Sequence, residues 1–123
     1  MSEAHTVLVV DDEEMLTEVI VAVLESEGYH AIAAGDRADA LALAEQWRSS
    51  LKLLIIDSIM PSFDGRELAR WMHREYPELA ILLISGEPDR IHSAAAALGS
   101  RARALPKPFT FEEILTVVRE LIE

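Results

Sequence analysis

Five side chains in this sequence have the types and placement to do chemistry together. Asp11 and Asp12 stand side by side at the head of an acidic run, Asp11-Asp12-Glu13-Glu14. Asp57 directly follows the apolar stretch Leu53-Leu54-Ile55-Ile56, Ser85 precedes Gly86 after Ala80–Ile84, and Lys107 lies between Pro106 and Pro108. Taken singly, each has a plainer role. Asp11 or Asp12 can cap a helix, Asp57 can open a turn, Ser85-Gly86 can end a strand, and Lys107 can be a solvated loop lysine. Brought together, three carboxylates repel one another and lose hydration, so they need a cation. Oxygen-only ligands suit a hard ion, Mg2+ before the transition metals. A lysine and a hydroxyl facing such a cluster complement an added anion, most naturally phosphate. The chemistry that uses all five is phosphoryl transfer.

Whether these residues meet depends on the elements that carry them. Thr6–Val10, Lys52–Ile56 and Ala80–Ile84 are continuous apolar runs without the period-two alternation of a half-exposed strand, so they read as strands buried on both faces, as in a parallel sheet. His30–Ala34 and Ala102–Leu105 are weaker strands, suited to the sheet edges. Helices are expected between them. Glu14–Glu27 carries the stripe Leu16, Val19, Ile20, Val23 and Leu24 and stops at Gly28. Asp36–Trp47 opens on a capping Asp36, and Asp64–Glu75 turns Leu68, Trp71 and Met72 inward before Pro77. Asp89–Leu98 follows Pro88 and ends at Gly99. Thr110–Glu123 opens with Thr110-Phe111-Glu112-Glu113, a capping box, and its stripe is Ile114, Val117, Val118, Leu121 and Ile122. The order is (βα)5, an α/β chain whose parallel sheet is covered by helices on both faces. In such sheets ligands gather at the carboxyl ends of the strands, which is where all five residues fall.

Composition narrows the field. The chain has 123 residues, about one domain's worth, with half of them apolar and 27% charged. Residues 1–123 are read as a single domain with no output domain and no linker or repeat. Eleven basic against twenty-two acidic side chains give a formal charge of −11, a field that repels phosphate backbones and argues against direct nucleic-acid binding. With no cysteine there is no disulfide framework, thiolate metal site or cysteine nucleophile. No apolar stretch approaches the ~20 residues that span a bilayer, and the start of the chain lacks the layout of a secretory signal. The expected location is the cytoplasm.

The whole chain resembles the receiver domain of two-component response regulators. The resemblance rests on VLVVDDEE at Val7–Glu14, LLIIDSIMPSFDG at Leu53–Gly65, LLISGEP at Leu82–Pro88 and LPKPF at Leu105–Phe109, all in register. It implies a flavodoxin-like, doubly wound five-stranded parallel sheet in strand order 2-1-3-4-5. It implies that Asp57 accepts a phosphoryl group from the phosphohistidine of a histidine kinase or histidine phosphotransfer protein. Mg2+, replaceable by Mn2+, would be held by Asp12, Asp57 and the Ile59 carbonyl, with Asp11 acting largely through water. Lys107, before a cis Lys–Pro bond, and the Ser85 hydroxyl would engage the phosphoryl group, and the N–H groups of Ser58 and Gly86 would complete its cradle. Pro61 and Gly65 match the loop after the acceptor strand, with Asp64 capping the next helix. The domain would be a switch, not a conventional enzyme, catalysing only its own phosphorylation and dephosphorylation, with the fourth helix, fifth strand and fifth helix as its signalling face.

Some positions depart from the family's pattern or lie outside it. Ala104 stands where the family usually has an aromatic that swings inward on activation, flanked by Arg101 and Arg103. The resemblance places Ile59 and Glu87 at the two positions that flank the access route of hydrolytic water in the family; Ile59 would shield the acyl phosphate and Glu87 would orient water, opposing effects with a lean to slow hydrolysis. Met15 faces outward beside the acidic run, where the family docks its kinase, with Val21 and Ala22 extending the patch. Arg66, Arg70 and Arg74 make a basic row read as a solvated face, with a cleft for an acidic partner as the alternative. His5, His30, His73 and His92 follow no metal spacing, and Trp47 and Trp71 read as packing residues. Two other classes share part of this pattern: a receiver-like interaction module that works without phosphorylation, and a Mg2+-dependent phosphohydrolase of the haloacid dehalogenase type. The second normally places an Asp two residues after its nucleophile, where this chain has Ile59.

Overall fold

The computed structural model describes residues 5–58, 60 and 63–123. Its elements follow the order β1 Thr6–Val10, α1 Glu14–Ser26, β2 His30–Ala34, α2 Arg37–Gln46, β3 Leu51–Asp57, α3 Gly65–Glu75, β4 Ala80–Ser85, α4 Pro88–Ala97, β5 Ala102–Pro106 and α5 Phe111–Ile122. The strands form one sheet in the order β2-β1-β3-β4-β5, and every pairing is parallel. The flavodoxin-like (βα)5 expectation and its strand order therefore hold.

The continuous apolar runs are divided by the pleat. Leu8, Val10, Leu54, Ile56, Ile81 and Leu83 pack with α2, α3 and α4 on one face of the sheet. Val7, Val9, Leu53, Ile55, Leu82 and Ile84 pack with α1 and α5 on the other. Each fully buried side chain of this size stabilises by about 1.5–3 kcal/mol, so the two layers are the main source of stability. β2 and β5 lie at the edges and are only partly buried. Among the described residues, no helix is long and apolar enough to cross a membrane.

Local signals set most element ends. Asp36 Oδ1 accepts the N–H of Asp39 at 2.8 Å, and Asp64 Oδ1 accepts that of Arg66 at 2.9 Å, so both N-caps act as expected. Thr110 and Glu113 form the reciprocal capping box, at 3.0 and 2.8 Å. Gly28 follows α1 with φ +93°, a conformation that favours glycine. Three strands run longer than their apolar cores: β3 includes Asp57 and β4 includes Ser85, so these two polar residues terminate strands instead of following them, while β5 extends to Pro106 with Lys107 directly after it.

The stripe on α1 is rotated from its expected centre. Thr17, Ile20 and Leu24 are buried, whereas Val19 is 41% exposed. The reason is that Thr17 Oγ1 donates to the Glu14 carbonyl at 2.8 Å, so its hydroxyl is satisfied and can turn inward. Trp47 is the C-cap of α2 and not part of it; its ring centroid lies 4.4 Å from that of His30.

Candidate functional site: an acidic rim with one lysine

The parallel register brings the strand ends level. Val10 pairs with Ile56, Asp57 with Ile84 and Ser85 with Pro106, so the residues that follow or end β1, β3, β4 and β5 share one rim. Asp11, Asp57, Ser58 and Ser85 are buried there, while Asp12 and Glu13 are exposed. One oxygen each from Asp11, Asp12 and Asp57 lie within 4.8 Å of one another.

Asp11 shows why the cluster is primed for a cation. Its Oδ1 accepts the Glu13 N–H at 2.9 Å, but its Oδ2 is buried with no hydrogen bond. Burial foremost raises the Asp11 pKa; the Glu13 N–H and the charge of Lys107 work against that, and the charges of Asp57 and Glu13 add to it. A buried carboxylate oxygen without a hydrogen bond, beside two further carboxylates, makes an all-oxygen donor set, the kind Mg2+ takes. The residues present fit that ion.

Lys107 reaches the cluster from the opposite side. Its ammonium donates to Asp57 Oδ2 at 3.0 Å and to Glu13 Oε1 at 3.2 Å, and lies 3.5 Å from Asp11 Oδ2. Burial pulls its pKa down, but the bond to Asp57, the charges of Asp11 and Asp57 and the bond to Glu13 outweigh it and hold the group well above its ordinary value. The loop that carries it is anchored by the Lys107 N–H, which donates to the Ser85 carbonyl at 2.7 Å, and the Lys107–Pro108 bond is cis.

Ser85 is 2% exposed, and its Oγ accepts the N–H of Glu87 at 2.9 Å, so in this conformation the hydroxyl closes a local turn. Gly86, next to it, has an N–H that makes no hydrogen bond among the described residues. Ser58 corrects an expectation. Its N–H donates to the Ile84 carbonyl at 2.9 Å, extending the β3–β4 ladder, and so is not available to a phosphate cradle. The Ser58 hydroxyl, buried and without a hydrogen bond, is the free polar group of that residue. Ile59, expected to lend a carbonyl and to shield the site, lies outside the described residues, as does Pro61.

One contributor to the site was not foreseen, and Gly65, expected only as part of the loop after the acceptor strand, plays a closer part. Glu13 shares the lysine, and the only hint in the sequence is its adjacency to Asp11-Asp12. Gly65 opens α3 so close beneath the acceptor strand that a Cβ there would lie 1.9 Å from the Asp57 carbonyl oxygen, which no side chain can occupy. Its N–H donates to the Ser58 carbonyl at 3.1 Å, joining α3 to the strand end.

The outlying candidates separate. Met15 is 81% exposed beside the rim. Val21 packs into the α1/α5 layer and does not extend its patch; exposed Val19 and Ala22 share the Met15 face instead, by i, i+4, i+7 spacing. Phe111, at the start of α5, is also exposed. Glu87 is exposed as the N-cap of α4. Ala104 packs partly buried against the α2–α4 layer, while its neighbour Arg103 pairs with Glu120 of α5 at 2.8 Å. In the basic row, Arg66 reaches Asp64 at 3.4 Å and Arg70 and Arg74 are exposed. Burial opposes ionisation of Asp64, yet the hydrogen bonds and charge of Arg66 bring its pKa below the usual value.

With this geometry in view, the comparisons with known proteins are direct. The response regulator receiver domain family matches residues 7–119. The chain is 35% identical over 121 residues to the nitrogen assimilation regulatory protein NtrX of Azorhizobium caulinodans, covering 98% of this chain and 26% of that protein. It is 28% identical over 123 residues to the sensor kinase CckA of Brucella abortus, covering 100% of this chain and 13% of that one. It thus spans only a fraction of the curated relatives it matches. Among solved structures, the chemotaxis protein CheY4 of Vibrio cholerae superimposes with a TM-score of 0.85 at 28% identity, covering 97% of this chain and 99% of that one.

Proposed function

The chain belongs to the response regulator receiver domain family, and from that membership and the rim we propose that it is a phosphoacceptor switch in a two-component or phosphorelay system. Its donor is the phosphohistidine of a histidine kinase or a histidine phosphotransfer protein, met in the cytoplasm. The observation that carries this reading is the shared ammonium: Lys107 stands 3.0 Å from an Asp57 oxygen while the neighbouring Asp11 oxygen is buried without a hydrogen bond.

In this mechanism an Asp57 carboxylate oxygen attacks the phosphorus of the phosphohistidine. The P–O bond forms as the P–N bond breaks, and the imidazole leaves. Asp11, Asp12 and Asp57 would hold Mg2+, or Mn2+ in its place, which when bound supplies positive charge to the transferring oxygens. Lys107 offsets the remaining charge, and the Gly86 N–H and Ser85 Oγ are placed to receive the phosphoryl oxygens once Ser85 releases the Glu87 N–H. Phosphorylation exchanges a monoanion for a roughly dianionic group, which draws Ser85 and its loop inward and biases the α4–β5–α5 face. With Ala104 on β5 there is no aromatic rotamer to report the change, so the Arg103–Glu120 contact between β5 and α5 is the link available for it. Met15, Val19 and Phe111 form the apolar margin on which the donor docks.

The test is intact mass after incubation with phosphoramidate and Mg2+, beside Asp57→Asn. One added phosphoryl group in the parent chain alone, lost when Mg2+ is removed, is the expected result. No adduct in either protein would overturn the switch and leave a phosphorylation-independent interaction module.

A further inference from the structure

At the end of the sheet opposite the rim, the segments leading into β3, β4 and β5 enclose a cleft of about 610 Å3, lined by Arg48, Lys52, Tyr76 and Arg101 among others. We propose that this cleft is an anion site for a small ligand carrying two or more phosphate groups. It owes nothing to the rim chemistry, and its volume lies within the roughly 300–1,000 Å3 of small-molecule sites.

Three cations in one cleft run against the composition of a chain with a formal charge of −11. Two of them are held in place. The Arg48 guanidinium lies 4.9 Å from the centre of the Tyr76 ring and pairs with Glu45 at 3.0 Å, and the Tyr76 hydroxyl donates to the same Glu45 at 3.3 Å. Arg101 Nη1 donates to the Glu78 carbonyl at 3.1 Å, a neutral acceptor, and its other side-chain N–H groups make no hydrogen bond among the described residues. The third, Lys52, is the one exposed residue of β3, a strand otherwise buried, and its ammonium has no hydrogen bond or ion pair among the described residues. A lysine in a central strand adds nothing to the core; what it supplies here is an ammonium at the floor of the sheet. Guanidiniums fixed in advance lose less freedom on binding phosphate, which they recognise through paired N–H donors.

The carboxylates of Glu75 and Glu78 share the same lip and set the size of ligand. A single monoanion gains little against them, whereas a chain of phosphates can reach all three cations. The acidic surface repels such a ligand from afar, but at physiological salt that field fades within about 8 Å.

The experiment is a titration of the isotope-labelled chain with sodium tripolyphosphate, without Mg2+, read on backbone amide resonances. Saturable shifts confined to residues 48–52, 75–79 and 101 are expected, with Lys107→Ala binding as the parent does. Lys52→Gln and Arg101→Gln are each expected to weaken affinity by about three- to tenfold, with unchanged melting temperature. Shifts confined to the rim around Ser58 and Gly86, no saturable shift at millimolar ligand, or two variants that bind like the parent would each overturn the assignment. A tetraglutamate peptide that binds as tightly as tripolyphosphate would also overturn it, in favour of an acidic peptide.

Discussion

At the amino end of the sheet, Thr6 Oγ1 bonds Ser50 Oγ at 2.8 Å and His30 Nδ1 at 3.1 Å, and the charges ride on exposed side chains. At the carboxyl end, Asp11, Asp57, Ser58 and Ser85 are buried, and two of their oxygens lack any hydrogen bond among the described residues. At the amino end one buried atom, His5 Nδ1, is likewise without a hydrogen bond among the described residues. Asp11, Asp57 and Glu13 must share the one ammonium of Lys107. Folding satisfies polar groups wherever geometry allows, because each one left buried and unpaired costs about 1–3 kcal/mol. On the function proposed above, the pairing at that end would be completed from outside, by a cation and an anion. The amino end leaves a single imidazole nitrogen, His5 Nδ1, without a hydrogen bond and buries no carboxylate, so the charge it offers a ligand lies on its surface.

Four tests, one of them with a matched control, bear on the difference between the two ends. The largest effect belongs to Gly65→Ala, whose Cβ meets the Asp57 carbonyl; it is expected to cost about 3 kcal/mol in denaturant unfolding. Gly35→Ala, with nothing within 4 Å of its Cβ, is the matched control and should shift stability by no more than about 0.5 kcal/mol. If the two cost the same, the close seating of α3 under the acceptor strand is wrong.

Next comes Lys107→Ala. Removing the one cation that the rim carboxylates share is expected to slow phosphorylation by phosphoramidate about a hundredfold, the size of losing one oriented charge-stabilising donor. A rate near that of the parent would show that the ammonium plays no part in transfer.

Asp11→Asn has opposite effects on stability and on metal binding. Replacing a buried carboxylate that has an orphaned oxygen and like-charged neighbours should raise unfolding free energy without metal by an amount on the order of 1 kcal/mol. The stabilisation by Mg2+ seen in thermal melts should shrink at the same time. Lower stability in the variant would mean that the Asp11 charge is well compensated and that the rim carries no such cost.

The smallest effect is a titration at the other end. The Tyr29 pKa is pushed up to about 12, first by burial and then by its hydrogen bond to Glu123 and that residue's charge. Tyr76 is raised as well, by burial and by the charge of Glu45. A folded value above the unfolded one near 10 means that the stabilisation is complete below that pH and is lost as pH climbs through the folded value. The chain has only these two tyrosines, so tyrosinate absorbance should rise only above the ordinary value. Ionisation of either near pH 10 would remove the contact inferred for it.

Much of this was legible in the residues themselves. The apolar runs located the five strands, and Asp36, Asp64, Thr110 and Gly28 marked helix ends through bonds made within a few residues. The rim followed, because parallel strands bring their carboxyl ends level and Asp11, Asp57, Ser85 and Lys107 each fall at such an end. The rotation of α1 was not legible, since a threonine is buried only when a carbonyl happens to accept its hydroxyl, as that of Glu14 does.

Pattern along the chain, then, determined the elements, their order and which side chains face the rim, because those depend on spacing and on contacts a few residues long. Tertiary structure decided what depends on separations the chain does not encode locally. Glu13 meets Lys107 across 94 positions, and the Ser58 N–H is consumed by Ile84 from the neighbouring strand. Gly65 is required by a backbone eight positions earlier in the chain, and Arg48, Lys52 and Arg101 converge only once three strands are laid side by side. Each of these is a matter of ångströms between groups that register and packing bring together.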